Sequence, residues 1–112
     1  METSLNKEIL DELVDIMGDD MGMLLNSYFS DSQVKLDELA TLDCKTDQQT
    51  IFRVAHSLKG SSKNVGVETF AELCEEIEQL ARNEKLTEEK FDKKQLNVLF
   101  QQCVKELKLN YL

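Results

Sequence analysis

Proline is absent from all 112 residues of the chain, and glycine occurs only four times. These are the residues that most often interrupt helices, so their scarcity favours long helices over short strands punctuated by turns. Basic charge is also in short supply: 13 Lys and Arg stand against 22 Asp and Glu, a formal charge of −9. A field of that sign repels phosphate backbones and anionic lipid, which argues against nucleic acid or a membrane surface as a partner. Nowhere do about 18 apolar residues stand together, as a membrane-crossing helix requires. The opening METSLNKEIL has neither the basic region nor the apolar run of a secretory signal. Cys44, Cys74 and Cys103 are odd in number and lack CxxC spacing. They read as small buried hydrophobes in a reducing compartment, and not as a disulfide frame or a zinc site. These absences together predict a cytoplasmic protein.

What is present suits one globular domain spanning residues 1–112, with 41% hydrophobic and 31% charged residues. Apolar residues recur at helical spacing almost throughout. Leu5, Ile9, Leu10, Leu13, Ile16 and Met17 fit one stripe, stopped at Gly18. A longer helix is predicted from near Asp20 to about Leu42, turning Leu24, Leu25, Tyr28, Phe29, Ser32, Leu36 and Leu39 inward. Thr46 with Gln49 three residues on makes a capping-box pattern, opening a helix whose inward stripe is Ile51, Val54, Ala55 and Leu58. Gly66 supplies a break before a fourth helix carrying Phe70, Leu73, Cys74, Ile77, Leu80 and Ala81. RNEKLTEE reads as a loop, with Thr87 as N-cap and Glu88 and Glu89 placed for the dipole of a last helix bearing Leu96, Leu99, Phe100, Cys103 and Leu107. Five amphipathic helices with short connections bury their faces best as an all-α antiparallel bundle.

The single histidine, His56, lies in RVAHSLKGSSKNVG. At about 100° per residue, it stands roughly 160° from both Val54 and Leu58 on the helical wheel, so it points away from the core. A hydrogen-bonded core histidine is the ordinary alternative, and the wheel weakens it. Within about 60° of His56 lie Phe52, Arg53, Lys59, Gly60 and Lys63. Three of these are cations in an acidic protein. Gly60 costs the helix about 1 kcal/mol relative to alanine, a loss that open access to the imidazole would offset.

Several uses of this segment are excluded. A metal site would need further His, Cys or carboxylates one turn away, where the neighbours are basic. GSSKNVG lacks the Gly-rich turn followed by Lys-Ser or Lys-Thr of a nucleotide phosphate loop. DSQVKLDELATL has no glycine at its sixth place and no glutamate at its twelfth, so it is not a calcium loop. An exposed nucleophilic nitrogen in a positive environment remains, which is what carrying a phosphoryl group requires. Nearby cations favour a neutral, nucleophilic imidazole and then offset the charge of the phosphoryl.

AHSLKGSSKNVG followed by FAELCEEIE, residues 55–78, resembles the signature of histidine-containing phosphotransfer (HPt) domains, the shuttles of multistep phosphorelays. The resemblance implies an all-α, antiparallel four-helix bundle with an additional short N-terminal helix, that His56 is the phosphorylated residue, and that Lys59 favours the phosphoryl group while Gly60 leaves room around the ring. It also implies that Glu78 stands where the family carries a polar Gln or Glu orienting the imidazole, and that Arg82 matches a further basic residue of some members. Lys63 belongs to the same surroundings, and Phe52 and Arg53 are the candidate docking residues. The implied partners are receiver domains of response regulators and a hybrid sensor histidine kinase. Mg²⁺ and the reacting aspartate would come from the receiver, so no cofactor is expected on this chain. A free-standing monomeric carrier, and not an enzyme, is the expectation. Two other classes are a hydrolase or transferase using His56 as general acid or base, and a helical adaptor that binds signalling partners without chemistry.

Overall fold

A computed structural model describes residues 5–112; of the opening segment METSLNKEIL, residues 1–4 lie outside it. The described chain is all-α. Helices α1 (Lys7–Met17), α2 (Met21–Ala40), α3 (Gln48–Asn64), α4 (Glu68–Arg82) and α5 (Lys93–Tyr111) follow one another, with a single 3₁₀ turn, Gly18–Asp20, joining α1 to α2. They gather into a bundle measuring 44 × 23 × 20 Å. Its most extensive interface lies between α3 and α4.

Each long helix buries residues three or four apart, the spacing of a single face. On α2 these are Met21, Leu25, Tyr28, Ser32, Leu36 and Leu39, while Leu24 and Phe29 are only partly covered. The stripes expected on α3 and α5 are buried throughout: Ile51, Val54, Ala55 and Leu58 on one, Leu96, Leu99, Phe100, Cys103 and Leu107 on the other. Polar atoms inside the bundle are paired. The Tyr28 hydroxyl and Ser62 Oγ share a hydrogen bond of 2.7 Å, and the Tyr28 ring stands edge-on to Phe100. Cys44, Cys74 and Cys103 are all buried and free. Burial pushes the Cys74 thiol well above its ordinary range and Cys103 up to about 11, so both stay as inert, protonated hydrophobes. No helix among the described residues is long and apolar enough to cross a membrane.

The helix ends differ from the sequence expectation in four places. Leu5 precedes α1 and pairs with Val67 in an isolated antiparallel bridge, and Ile16 is 71% exposed, so the inward stripe of α1 is narrower than expected. At the end of α2, the Lys93 ammonium donates to the carbonyls of Ala40 and Leu42, and the helix stops at Ala40. Thr46 does not cap α3. The amides of Thr46 and Asp47 bond to the Asp43 carbonyl, which holds Thr46 in a turn, and the helix starts at Gln48 behind Asp47. Thr87 likewise closes a turn of its own, accepting from Lys90 N, with Phe91 buried just beyond it. Burial of Phe91 ends that turn, and Asp92 caps α5 by accepting from Gln95 N at 2.9 Å. Glu88 and Glu89 therefore lie outside the first turn of α5.

The α3–α4 junction is clamped from outside. Gly66 has φ +78°, and its carbonyl accepts from Asn6 N at 2.7 Å. Asn6 also caps α1 through Ile9 N and donates from its side chain to Glu68 at 2.7 Å. A Cβ at Gly66 would lie 3.0 Å from the Asn6 carbonyl oxygen, whereas one at Gly60 would meet nothing within 4 Å. Gly66→Ala is therefore expected to destabilise the fold by about 1–3 kcal/mol. Gly60→Ala should stabilise it by about 1 kcal/mol. Urea unfolding of the two variants checks both signs.

Candidate functional site

Helix α3 turns Val54, Ala55 and Leu58 into the bundle, which leaves His56 on the outer face with 64% of its side chain exposed. Helix α4 does the opposite with an acid. Its buried face runs Phe70, Ala71, Cys74, Ile77, Glu78 and Ala81, so Glu78 sits on the apolar stripe at the seam with α3, its side chain 5% exposed. A carboxylate in that position is costly unless both oxygens are hydrogen-bonded. Here Oε2 accepts from His56 Nδ1 and Oε1 accepts from Lys59 Nζ at 2.5 Å. No buried side-chain nitrogen or oxygen among the described residues lacks a partner.

Burial raises the Glu78 carboxyl's affinity for a proton. The hydrogen bonds from Lys59 and His56, together with their charges, outweigh that effect and hold the group below the usual carboxylate range. An ionised carboxylate can only accept, so the bonded Nδ1 carries a proton. The neutral ring then keeps its lone pair on Nε2, the nitrogen facing away from Glu78. Lys59 reaches this pair by running along the surface one turn beyond His56, its side chain 18% exposed.

The other site candidates stand around this trio without bonding to the ring. The Phe52 ring centroid lies 6.2 Å from that of the imidazole, and the side chain is half-buried and packed against the core. It lines a cleft with Gln49, Ala81, Arg82 and Glu84. Arg82 is exposed at the end of α4, and its side chain forms no hydrogen bond or ion pair among the described residues. Arg53 donates to Thr50 at 3.5 Å, and Lys63 lies 3.9 Å from Glu75. Of the three cations that the wheel sets near His56, Lys59 bonds to Glu78, Lys63 faces Glu75 and Arg53 bonds to Thr50. The Glu78 carboxylate was the part hardest to see in the sequence, and its signal was an acid on the apolar stripe of α4. Gly60 leaves open space beside the imidazole. No group of three or more His, Cys, Asp or Glu among the described residues is placed to hold a metal ion.

Comparison with known proteins bears on what this surface does. Residues 23–109 match the family described as the Hpt domain, a span that contains the whole of the site. The chain belongs to the Hpt family. An Hpt chain is a phosphotransfer protein of a phosphorelay and not an enzyme in its own right, and Hpt domains interact with receiver domains in such relays. Among solved structures, the chain is similar to histidine-containing phosphotransfer protein B (HptB) from Pseudomonas aeruginosa PAO1. Identity is 29% and the TM-score 0.72, over 92% of this chain and 96% of that one. No curated protein sequence matches it.

The buried pair gives this Hpt chain a distinctive response to acid. Glu78 binds protons more weakly folded than unfolded, so its contribution is fully present above about pH 4.5 and is lost as the pH falls through the lower folded value. Urea unfolding at neutral and acid pH is expected to show a smaller acid loss for Glu78→Gln than for the wild type, because the amide has no proton to take up.

Proposed function

We propose that His56 is the phosphorylated residue of this Hpt chain, accepting a phosphoryl group from a receiver-domain aspartate and passing it to the aspartate of another receiver. The observation that carries this reading is the exposed imidazole whose Nδ1 is held by a buried carboxylate, leaving Nε2 free to attack. It is the only histidine in the chain. The span of 1–112 acts as a single domain in which α2 to α5 form an antiparallel four-helix bundle and α1 is an additional short helix. Glu78 orients the ring, and Lys59 holds Glu78 ionised. Lys63 and Arg82 add positive charge on the approach, and Gly60 keeps that approach open. Phe52 and Arg53 belong to the docking face. Mg²⁺ and the reacting aspartate come from the receiver. A hybrid sensor histidine kinase stands upstream, and the carrier works in the cytoplasm as a monomer, with neither nucleic acid nor membrane as partner.

Incubation with a phosphorylated receiver tests this directly. Acid-labile, base-stable label should appear on the wild type and be absent from His56→Gln, with the variant still folded because the glutamine amide can donate to Glu78 in place of the imidazole. Binding without label would favour an adaptor, and a released product would favour an enzyme. Phe52 supplies a second test, since it is packed on the core and adjacent to the imidazole at once. Phe52→Ala is expected to lower stability by about 1–2 kcal/mol, less than a fully buried aromatic would, and to weaken receiver binding or transfer by more than that loss explains. An unchanged transfer rate would remove Phe52 from the docking face.

A further inference from the structure

The family resemblance allots the residue at Glu78 the task of orienting the imidazole, and an amide could do that equally well. The structure holds a carboxylate there instead, buried and bonded through both oxygens. Burying a charge for orientation alone is wasteful, because a neutral acceptor avoids the desolvation cost. The charge is accounted for by the second half of the transfer cycle.

Resting on the reading of His56 as the phosphorylated residue, we infer that Glu78 is a positioning residue whose negative charge keeps the Nδ1 proton on the ring after phosphorylation, so that the phosphoryl group stays ready to leave. In the first transfer, the Nε2 lone pair attacks phosphorus, the N–P bond forms, the P–O bond to the receiver's aspartate breaks, and the aspartate departs with the electron pair. Nδ1 keeps its proton, so the phosphorylated ring is a cation lying against the carboxylate. In the second transfer, the N–P bond breaks and its electron pair returns to Nε2. A ring protonated at Nδ1 departs as neutral imidazole. A ring that had lost that proton would have to depart as imidazolate, a far poorer leaving group. Glutamine at the same place accepts the same hydrogen bond but does not offset the ring's charge, and the proton is released to water.

The surrounding charges fit this role. Lys59 on Oε1 keeps the carboxylate ionised without touching the ring. Along the same side, α3 presents Arg53 and Lys63 and α4 presents Glu75 and Arg82; Glu75 is turned to Lys63. Among the described residues, Glu78 is the only acid that bonds to the ring.

The test uses the full chain, labelled with ¹⁵N-histidine and phosphorylated by a phosphorylated receiver. In the wild type, the ¹⁵N spectrum of the phosphorylated ring should show a protonated Nδ1. Glu78→Gln should retain the fold and the contact between the Phe52 and His56 rings, lose that Nδ1 proton, and pass its phosphoryl to a second receiver about tenfold or more slowly. Glu78→Ala should be slow as well. Transfer by Glu78→Gln at the wild-type rate, with only Glu78→Ala impaired, would reduce the role to orientation and overturn the inference. So would an unprotonated Nδ1 in the phosphorylated wild type, a measurement that needs no variant to fold. A wild type that takes up no label on His56 would instead overturn the reading of the site itself.

Discussion

An ionised carboxylate at the seam of two helices has to be paired on both oxygens, and that requirement fixes how α3 and α4 meet. His56 and Lys59 are three residues apart on α3, hence neighbours on its surface. Both must reach the one side chain of Glu78. A shift of either helix by one turn, about 5.4 Å, would leave a buried charge without partners, a far larger loss than any apolar misfit along the stripe. Hydrophobic burial along Ile51, Val54, Leu58, Phe70, Cys74 and Ile77 drives the helices together. The polar trio selects the alignment in which they stop. The tight connection at Gly66, clasped by Asn6 from the start of α1, holds that alignment from one end.

Much of this was legible in the sequence, for a reason that also marks where legibility ends. The inward residues of α3 and α5 follow from period alone, because burial of a stripe is decided within one helix. The outward aim of His56 follows by the same rule. Helix ends were harder, since Thr46 and Thr87 have the chemistry of caps but are drawn into turns by Asp43 and by the burial of Phe91. Neither influence is local to the capping pattern. The partners of the cations were not visible either, because Lys59 and Lys63 find their acids on α4, and the helical wheel of α3 contains no information about α4.

Stability and access pull in opposite directions on the outer face of α3. Gly60 weakens the helix and its absent side chain fills no gap, so packing gives no reason for it. Beneath it the bundle is conventional, with aromatic contacts among Tyr28, Phe70 and Phe100 and the buried hydroxyl pair of Tyr28 and Ser62. The compromise lies beside the imidazole, where the proposed function requires a partner to approach.

One imidazole on one open face has a consequence for traffic. If His56 carries the phosphoryl group, donor and acceptor need the same surface around one imidazole, so they exclude one another and no complex of three can hand the group across. The carrier must let go of the first partner before it meets the second. Throughput then depends on how briefly each encounter lasts, and an overabundant receiver, even one already phosphorylated, would slow the relay by occupying the face that the next one needs.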